Sequence, residues 1–157
     1  MSLVFDIPGY GALRLARLVC DFNGTLAVDG VLAPGVAERL QRLAANLEIH
    51  VVTGDTYGTA RQALAGLPVN VQVLPERGQA EAKLAAVSAL GPDGCAVLGN
   101  GRNDVTMLRA AALGIAVIGA EGVAPEVLAA SDLLVPGSEA ALDLFLKPRR
   151  LLAGLRA

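Results

Sequence analysis

An α/β fold built on a mainly parallel sheet is what this sequence predicts, and three observations predict it. Short apolar runs alternate with Ala/Leu-rich segments at helical spacing, the pattern of strand–helix–strand units. The apolar runs are nearly continuous and punctuated by glycine, as strands covered on both faces are. The chain of 157 residues is 54% hydrophobic but only 3% aromatic and has no Trp, so its core is built from Val, Leu, Ile and Ala. A chain this long suits one domain and can bury roughly two-thirds of its unfolded surface. Residues 1–157 therefore read as a single domain without linker, repeat or low-complexity segment.

In order along the chain, "LVFDIPGYGALRLARLV" opens as an extra hairpin before the first core strand, "LARLVCDF" (15–22). "APGVAERLQRLAANL" (33–47) reads as a helix, with Pro34 where a first turn tolerates it. A strand "EIHVVT" (48–53), a helix "TYGTARQALAGL" (56–67) and a strand "NVQVL" (70–74) follow. Then come a helix "GQAEAKLAAVSAL" (78–90), a strand "CAVLG" (95–99) and a helix "RNDVTMLRAAAL" (102–113). The series closes with "GIAVIG" (114–119), "APEVLAA" (124–130) and "DLLVP" (132–136) as strand, helix and strand. Gly66, Gly91 and Gly114 stand where helix C-caps belong. The basic tail "LKPRRLLAGLRA" reads as a solvated last helix.

Composition excludes several function classes. Net charge is −2, too small to imply nucleic acid as a partner. Mean hydropathy is +0.52, yet the longest strongly apolar stretch, "AAALGIAVIGA" (110–120), has 11 residues and two glycines. A membrane-spanning helix needs about 20, so no membrane segment is expected. The start "MSLVFDIPGYG" lacks the basic opening of a signal peptide. Cys20 and Cys95 read as buried thiols of a reducing compartment, which makes the cytoplasm the expected location.

In an open parallel sheet, ligands collect at the carboxyl ends of the strands. Asp21, Asn23, Gly24 and Thr25 follow the first core strand, and Thr53, Gly54 and Asp55 the second. Asn100, Gly101, Asn103 and Asp104 follow the fourth, and Lys83 stands on an Ala/Leu-rich helix between them. A carboxylate such as Asp21 can attack phosphorus and form an acyl phosphate. Thr53 and the amides around Gly24 and Gly54 can donate to phosphoryl oxygens. Lys83 can neutralise charge on the nucleophile and the transferring group. Asp21, Asp104 and nearby carbonyls are the hard oxygen donors that Mg²⁺ takes. Taken singly, each patch is an ordinary cap or turn; the ordered combination is what points to phosphoryl chemistry. His50, the single His, reads as a packed or edge residue.

"DFNGTL", "TGDTYGTA", Lys83 and "GNGRNDVTML" together resemble the four motifs of the haloacid dehalogenase (HAD) superfamily. The second and fourth are similar to the phosphorylation domain of P-type ATPases, most of all to small soluble proteins of that likeness. The resemblance covers residues 15–136. It implies a Rossmann-like three-layer sandwich, a Mg²⁺ cofactor and a phosphoaspartate on Asp21. It also implies phosphate contacts from Gly24, Thr25, Thr53 and Gly54, charge stabilisation by Lys83, and metal ligation by Asp21, Asn100, Asp104 and the carbonyl of Asn23. Asp29-Gly30 fits the short hairpin flap of that superfamily, and Asp-Gly suits such a turn.

Two positions depart from the pattern. Hydrolases of the superfamily usually carry an acid where this chain has Asn23, and that acid protonates the leaving group and activates water. P-type ATPases carry a metal-binding Asp where this chain has Asn100. The expectation is a slow Mg²⁺-dependent phosphohydrolase with weakened metal binding. The alternative is a regulatory or binding domain with a long-lived phosphoaspartate or no turnover. Only 31 residues separate Asp21 from Thr53 and 29 separate Thr53 from Lys83, which leaves no room for a cap domain. A capless site lies open to a phosphorylated small molecule or macromolecule, or is covered by a neighbouring subunit of a homo-oligomer.

Overall fold

In the computed structural model, residues 1–55 and 58–157 are described. An antiparallel hairpin, β1 (Leu3–Ile7) and β2 (Gly11–Leu15), precedes the first core strand, β3 (Arg17–Asp21), as expected. A small flap follows, β4 (Ala27–Val28) paired with β5 (Val31–Leu32). Its turn residues Asp29 and Gly30 both have positive φ (51° and 77°), the backbone that a two-residue Asp-Gly turn supplies. Next come α1 (Val36–Leu43), β6 (Glu48–Thr53), α2 (Thr59–Ala63), β7 (Asn70–Val73) and α3 (Gln79–Leu90). They are followed by β8 (Cys95–Gly99), α4 (Val105–Ala110), β9 (Leu113–Ile118), α5 (Pro125–Ala130), β10 (Leu133–Pro136), α6 (Ser138–Leu146) and α7 (Pro148–Leu155).

Six strands form one sheet in the order β10-β9-β8-β3-β6-β7, and every pairing is parallel. The chain winds outward from β3 through β6 to β7, then returns beside β3 and winds the other way. This reversal opens a crevice at the carboxyl ends of β3 and β8, where such sheets bind ligands. Strand alternation divides the core between two faces. Leu18, Cys20, Ile49, Val51, Ala96 and Leu98 pack on one side with residues of α1, α6, α7 and the N-terminal hairpin. Val19, Val52, Cys95, Val97 and Ala116 pack on the other with Val87, Met107, Leu108 and Val127 of α3, α4 and α5. Helices on both faces of a parallel sheet make the expected three-layer α/β sandwich.

Several boundaries differ from the sequence reading. The helix expected over 33–47 spans only Val36–Leu43, because Pro34 and a left-handed Gly35 form the turn that leads into it. Thr56 and Tyr57, which open the helix expected over 56–67, lie outside the described residues. Gly114 is a strand residue and not a cap: a Cβ there would lie 2.8 Å from the carbonyl of Leu108, so glycine lets α4 and β9 close up. The tail is not simply solvated. Leu151 of α7 is fully buried, and the N–H of Ala157 donates to the carbonyl of Pro8 at 3.0 Å, so the tail docks on the N-terminal hairpin. Among the described residues, no helix is long and apolar enough to cross a membrane.

Candidate active site

Asp21, the last residue of β3, stands 8% exposed at the carboxyl end of the central strand. Lys83 reaches it from α3. Along that helix Gln79, Lys83, Ala86 and Val87 follow the i, i+4, i+7, i+8 spacing of one face. The lysine stem is therefore buried with the sheet-facing stripe, and its ammonium emerges at the strand ends. Lys83 Nζ lies 2.8 Å from Asp21 Oδ1 and 2.7 Å from Asp104 Oδ1. Two carboxylates share one ammonium. Burial and the facing Asp104 charge raise the Asp21 carboxyl above the ordinary carboxylate range, while Lys83 pulls it back. Burial works against the Lys83 charge, but the two carboxylates outweigh it and hold the ammonium protonated.

Around this triad lies a cavity of about 440 Å³ lined by Asp21, Asn23, Thr53, Gly54, Asp55, Gln79, Lys83, Asn100, Gly101 and Asn103. The structure thus brings Asp21, Asn23, Thr53, Gly54, Lys83 and Asn100, all expected from sequence, to one place. Gly24, Thr25 and Asp104 sit behind that lining. Thr25 is buried, and its hydroxyl lies 3.3 Å from Asp21 Oδ2 and 3.2 Å from Asn100 Oδ1, so it orients both. Gly24 has φ 79°, and a Cβ there would collide with the side-chain amide of Asn100. Asp104 is fully buried, and its Oδ2 accepts from the backbone N–H of Asn100 (3.0 Å) and Gly101 (2.9 Å). With Oδ1 on Lys83, Asp104 braces the loop and the ammonium.

Asn100 is held at both ends, since its Nδ2 donates to the carbonyl of Gly122 at 3.1 Å. Asp55 takes an N–H bond from Ala60 at 2.6 Å, and its own N–H donates to Thr53 Oγ1 at 3.2 Å, which fixes that hydroxyl. Among the described residues there is no cluster of three or more His, Cys, Asp or Glu side chains able to hold a metal. The residues that line the cavity nonetheless include Asp21, Asn23 and Asn100, which carry carboxylate, carbonyl and amide oxygens. This set fits Mg²⁺, which takes one or two carboxylates and completes its shell with water and substrate phosphate. Sequence reasoning placed Asn103 in the strand-end patch without giving it a role, and left Gln79 out of the site. The i, i+4 relation of Gln79 to Lys83 is the signal that places Gln79 there.

With the reversal in strand order, the open carboxyl-end crevice and the Asp21–Lys83–Asp104 triad in view, the chain has the haloacid dehalogenase fold. A protein of Legionella pneumophila described as a subfamily III A hydrolase of the HAD superfamily superposes with a TM-score of 0.71 at 19% identity, over 90% of this chain and 87% of that one. The 3-deoxy-D-manno-octulosonate 8-phosphate phosphatase of Moraxella catarrhalis, solved with magnesium, phosphate and KDO, gives 0.68 at 17% over 90% and 87%. The cobalt-bound phosphatase of that type from Haemophilus influenzae gives 0.69 at 16% over 87% and 90%. These neighbours share the fold and are HAD-type hydrolases or phosphatases.

In sequence, the chain belongs to the family of MJ0072, an uncharacterised protein of Methanocaldococcus jannaschii. It is 44% identical to it over 39 residues, 25% of this chain and 89% of that protein. It is also 46% identical over 59 residues to MJ0073, an uncharacterised protein of the same organism, a match covering 38% of this chain and 63% of that protein. No protein-family model matches the chain.

Proposed function

We propose that this chain is a Mg²⁺-dependent phosphatase that hydrolyses phosphomonoesters through a phosphoaspartate on Asp21, with slow turnover. The observation that carries this reading is Asp21 at a central strand end, lining an open cavity and held 2.8 Å from Lys83. A carboxylate oxygen of Asp21 attacks phosphorus, the P–O bond to the leaving group breaks, and an acyl phosphate forms. Thr53 and the amides of Gly54 donate to the phosphoryl oxygens, and Lys83 balances their charge. Water then attacks the acyl phosphate, releasing inorganic phosphate and returning the carboxylate. Asp21, Asn23 and Asn100 would hold Mg²⁺, which when bound screens phosphoryl charge and aligns the substrate. The fold neighbours support this reading, three of them being described as HAD-type hydrolases or phosphatases.

A second reading rests on two amides that line the cavity: Asn23, where superfamily hydrolases usually carry an acid, and Asn100, where P-type ATPases carry one. Without an acid to activate water, the phosphoaspartate would persist, and the chain would act as a phosphorylated binding domain in a homo-oligomer or with another protein. We place the protein in the cytoplasm on either reading. Hydrolysis of a generic aryl phosphate by wild type and Asp21→Asn, with Mg²⁺ and after chelation, tests the enzyme. Activity that needs both Asp21 and the ion supports it, and turnover that survives Asp21→Asn contradicts it.

A further inference from the structure

Gln79 opens α3 and lines the cavity. Its Oε1 accepts a bond from Asn103 Nδ2 at 3.0 Å, which fixes the amide's orientation. The Nε2 end is then turned onto Gly54, where the amide fills the space a Cβ would take. A Cβ on Gly54 would lie 2.9 Å from Gln79 Oε1 and closer still to Nε2. Gly54 and Gln79 are therefore one device: the bare backbone of the phosphate-side loop admits the amide. Asn103 is held in turn, its Oδ1 accepting from Lys83 Nζ at 3.4 Å. A continuous run, Asp21–Lys83–Asn103–Gln79, ties this outer amide to the ammonium that holds the nucleophile.

We propose that Gln79 is a phosphoryl-contacting residue: its Nε2 donates to an oxygen of the transferring group while Asp21 attacks. This role rests on the phosphatase reading. A donor oriented in advance toward developing charge is worth more than one that must reorganise, and a bond to a phosphoryl anion is charge-assisted. If Gln79 served only to brace Asn103, its oxygen would suffice and a glutamate would serve equally. Gln79→Glu separates the two roles, because it keeps the volume and the Asn103 bond but puts an anion where the donors were. Gln79→Met keeps the volume and supplies neither.

Orthovanadate binding by calorimetry, beside aryl phosphate hydrolysis, is the test. The expected result is a loss of about tenfold or more in vanadate affinity in Gln79→Met and a larger loss in Gln79→Glu, with kcat/KM falling in parallel and melting temperatures unchanged. Variants that bind vanadate as wild type does would overturn the contact, as would a wild type that binds none. A wild type that binds vanadate through Gln79 yet hydrolyses nothing sinks the phosphatase reading and leaves the contact standing. Hydrolysis that ignores both substitutions does the reverse.

Discussion

At the scale of single residues, the proposed slow turnover rests on Asn23. It lines the cavity two residues beyond Asp21, the proposed nucleophile, where an amide can neither give nor retrieve a proton at a useful rate. General acid–base help is worth about 10²–10⁴ in rate, or roughly 3–5 kcal/mol of barrier. Asn23→Asp is therefore expected to speed aryl phosphate hydrolysis by at least about tenfold and to shorten the phosphoenzyme lifetime. Equal rates in freshly prepared, folded proteins would show that Asn23 is not what limits turnover. An Asn-Gly pair invites deamidation, in which the Gly24 nitrogen attacks the Asn23 amide carbon and expels ammonia. In the fold that nitrogen donates to the carbonyl of Ala27 at 2.7 Å, which disfavours the attack. Peptide mass spectrometry of the kinetic samples checks that Asn23 is intact. Asp21, Asn23, Thr53 and Asn100 were legible because strand ends concentrate ligands and polar residues there stand out against apolar runs, and Lys83 because it is a lone cation on an Ala/Leu-rich helix. Gln79 was not, nor was the role of Asn103, because an amide's role is set by tertiary partners that spacing alone does not reveal.

Between elements, Asp143 is the main clasp on the hairpin side of the sheet. It is 5% exposed on α6, and its carboxylate meets Arg39 Nε of α1 at 2.8 Å, Lys147 Nζ at 2.8 Å and Arg150 Nη1 of α7 at 3.2 Å. The bonds from Arg39 and Lys147 lower its carboxyl to about 2 from an ordinary value of 3.8. A depressed carboxyl stabilises the fold above its unfolded pKa and loses that contribution as pH falls through the folded one. Between about pH 4 and 2, then, the melting temperature of wild type is expected to fall more steeply than that of Asp143→Asn. Parallel curves would mean that Asp143 takes no part in acid unfolding. The strands, α3 and the Asp-Gly flap were legible because their signals are local: apolar runs, an Ala/Leu-rich segment and a turn dipeptide. α6 was not. Ala141, Leu142, Asp143, Leu144 and Phe145 are buried in succession, so the helix lacks the one-sided stripe that marks amphipathic helices.

Across the whole molecule, six parallel strands place Asp21 of β3, Thr53 of β6 and the loop after β8 around one open cavity. Among the described residues only the short flap of β4 and β5 is inserted between β3 and α1, and cover for the site would come from a bulky substrate or from another subunit. We propose a homo-oligomer. Light scattering at micromolar concentration is expected to give a multiple of the chain mass, and a clean monomer would remove the idea of cover from a neighbour. The central claim is that Asp21 becomes phosphorylated. Its most direct measurement is the intact mass of wild type and Asp21→Asn after incubation with acetyl phosphate and Mg²⁺, before and after hydroxylamine. The expected result is one phosphoryl group on wild type, mapped to Asp21, removed by hydroxylamine and absent from Asp21→Asn. A label that maps elsewhere or persists in Asp21→Asn would contradict it, as would a wild type that neither takes up the group nor releases phosphate.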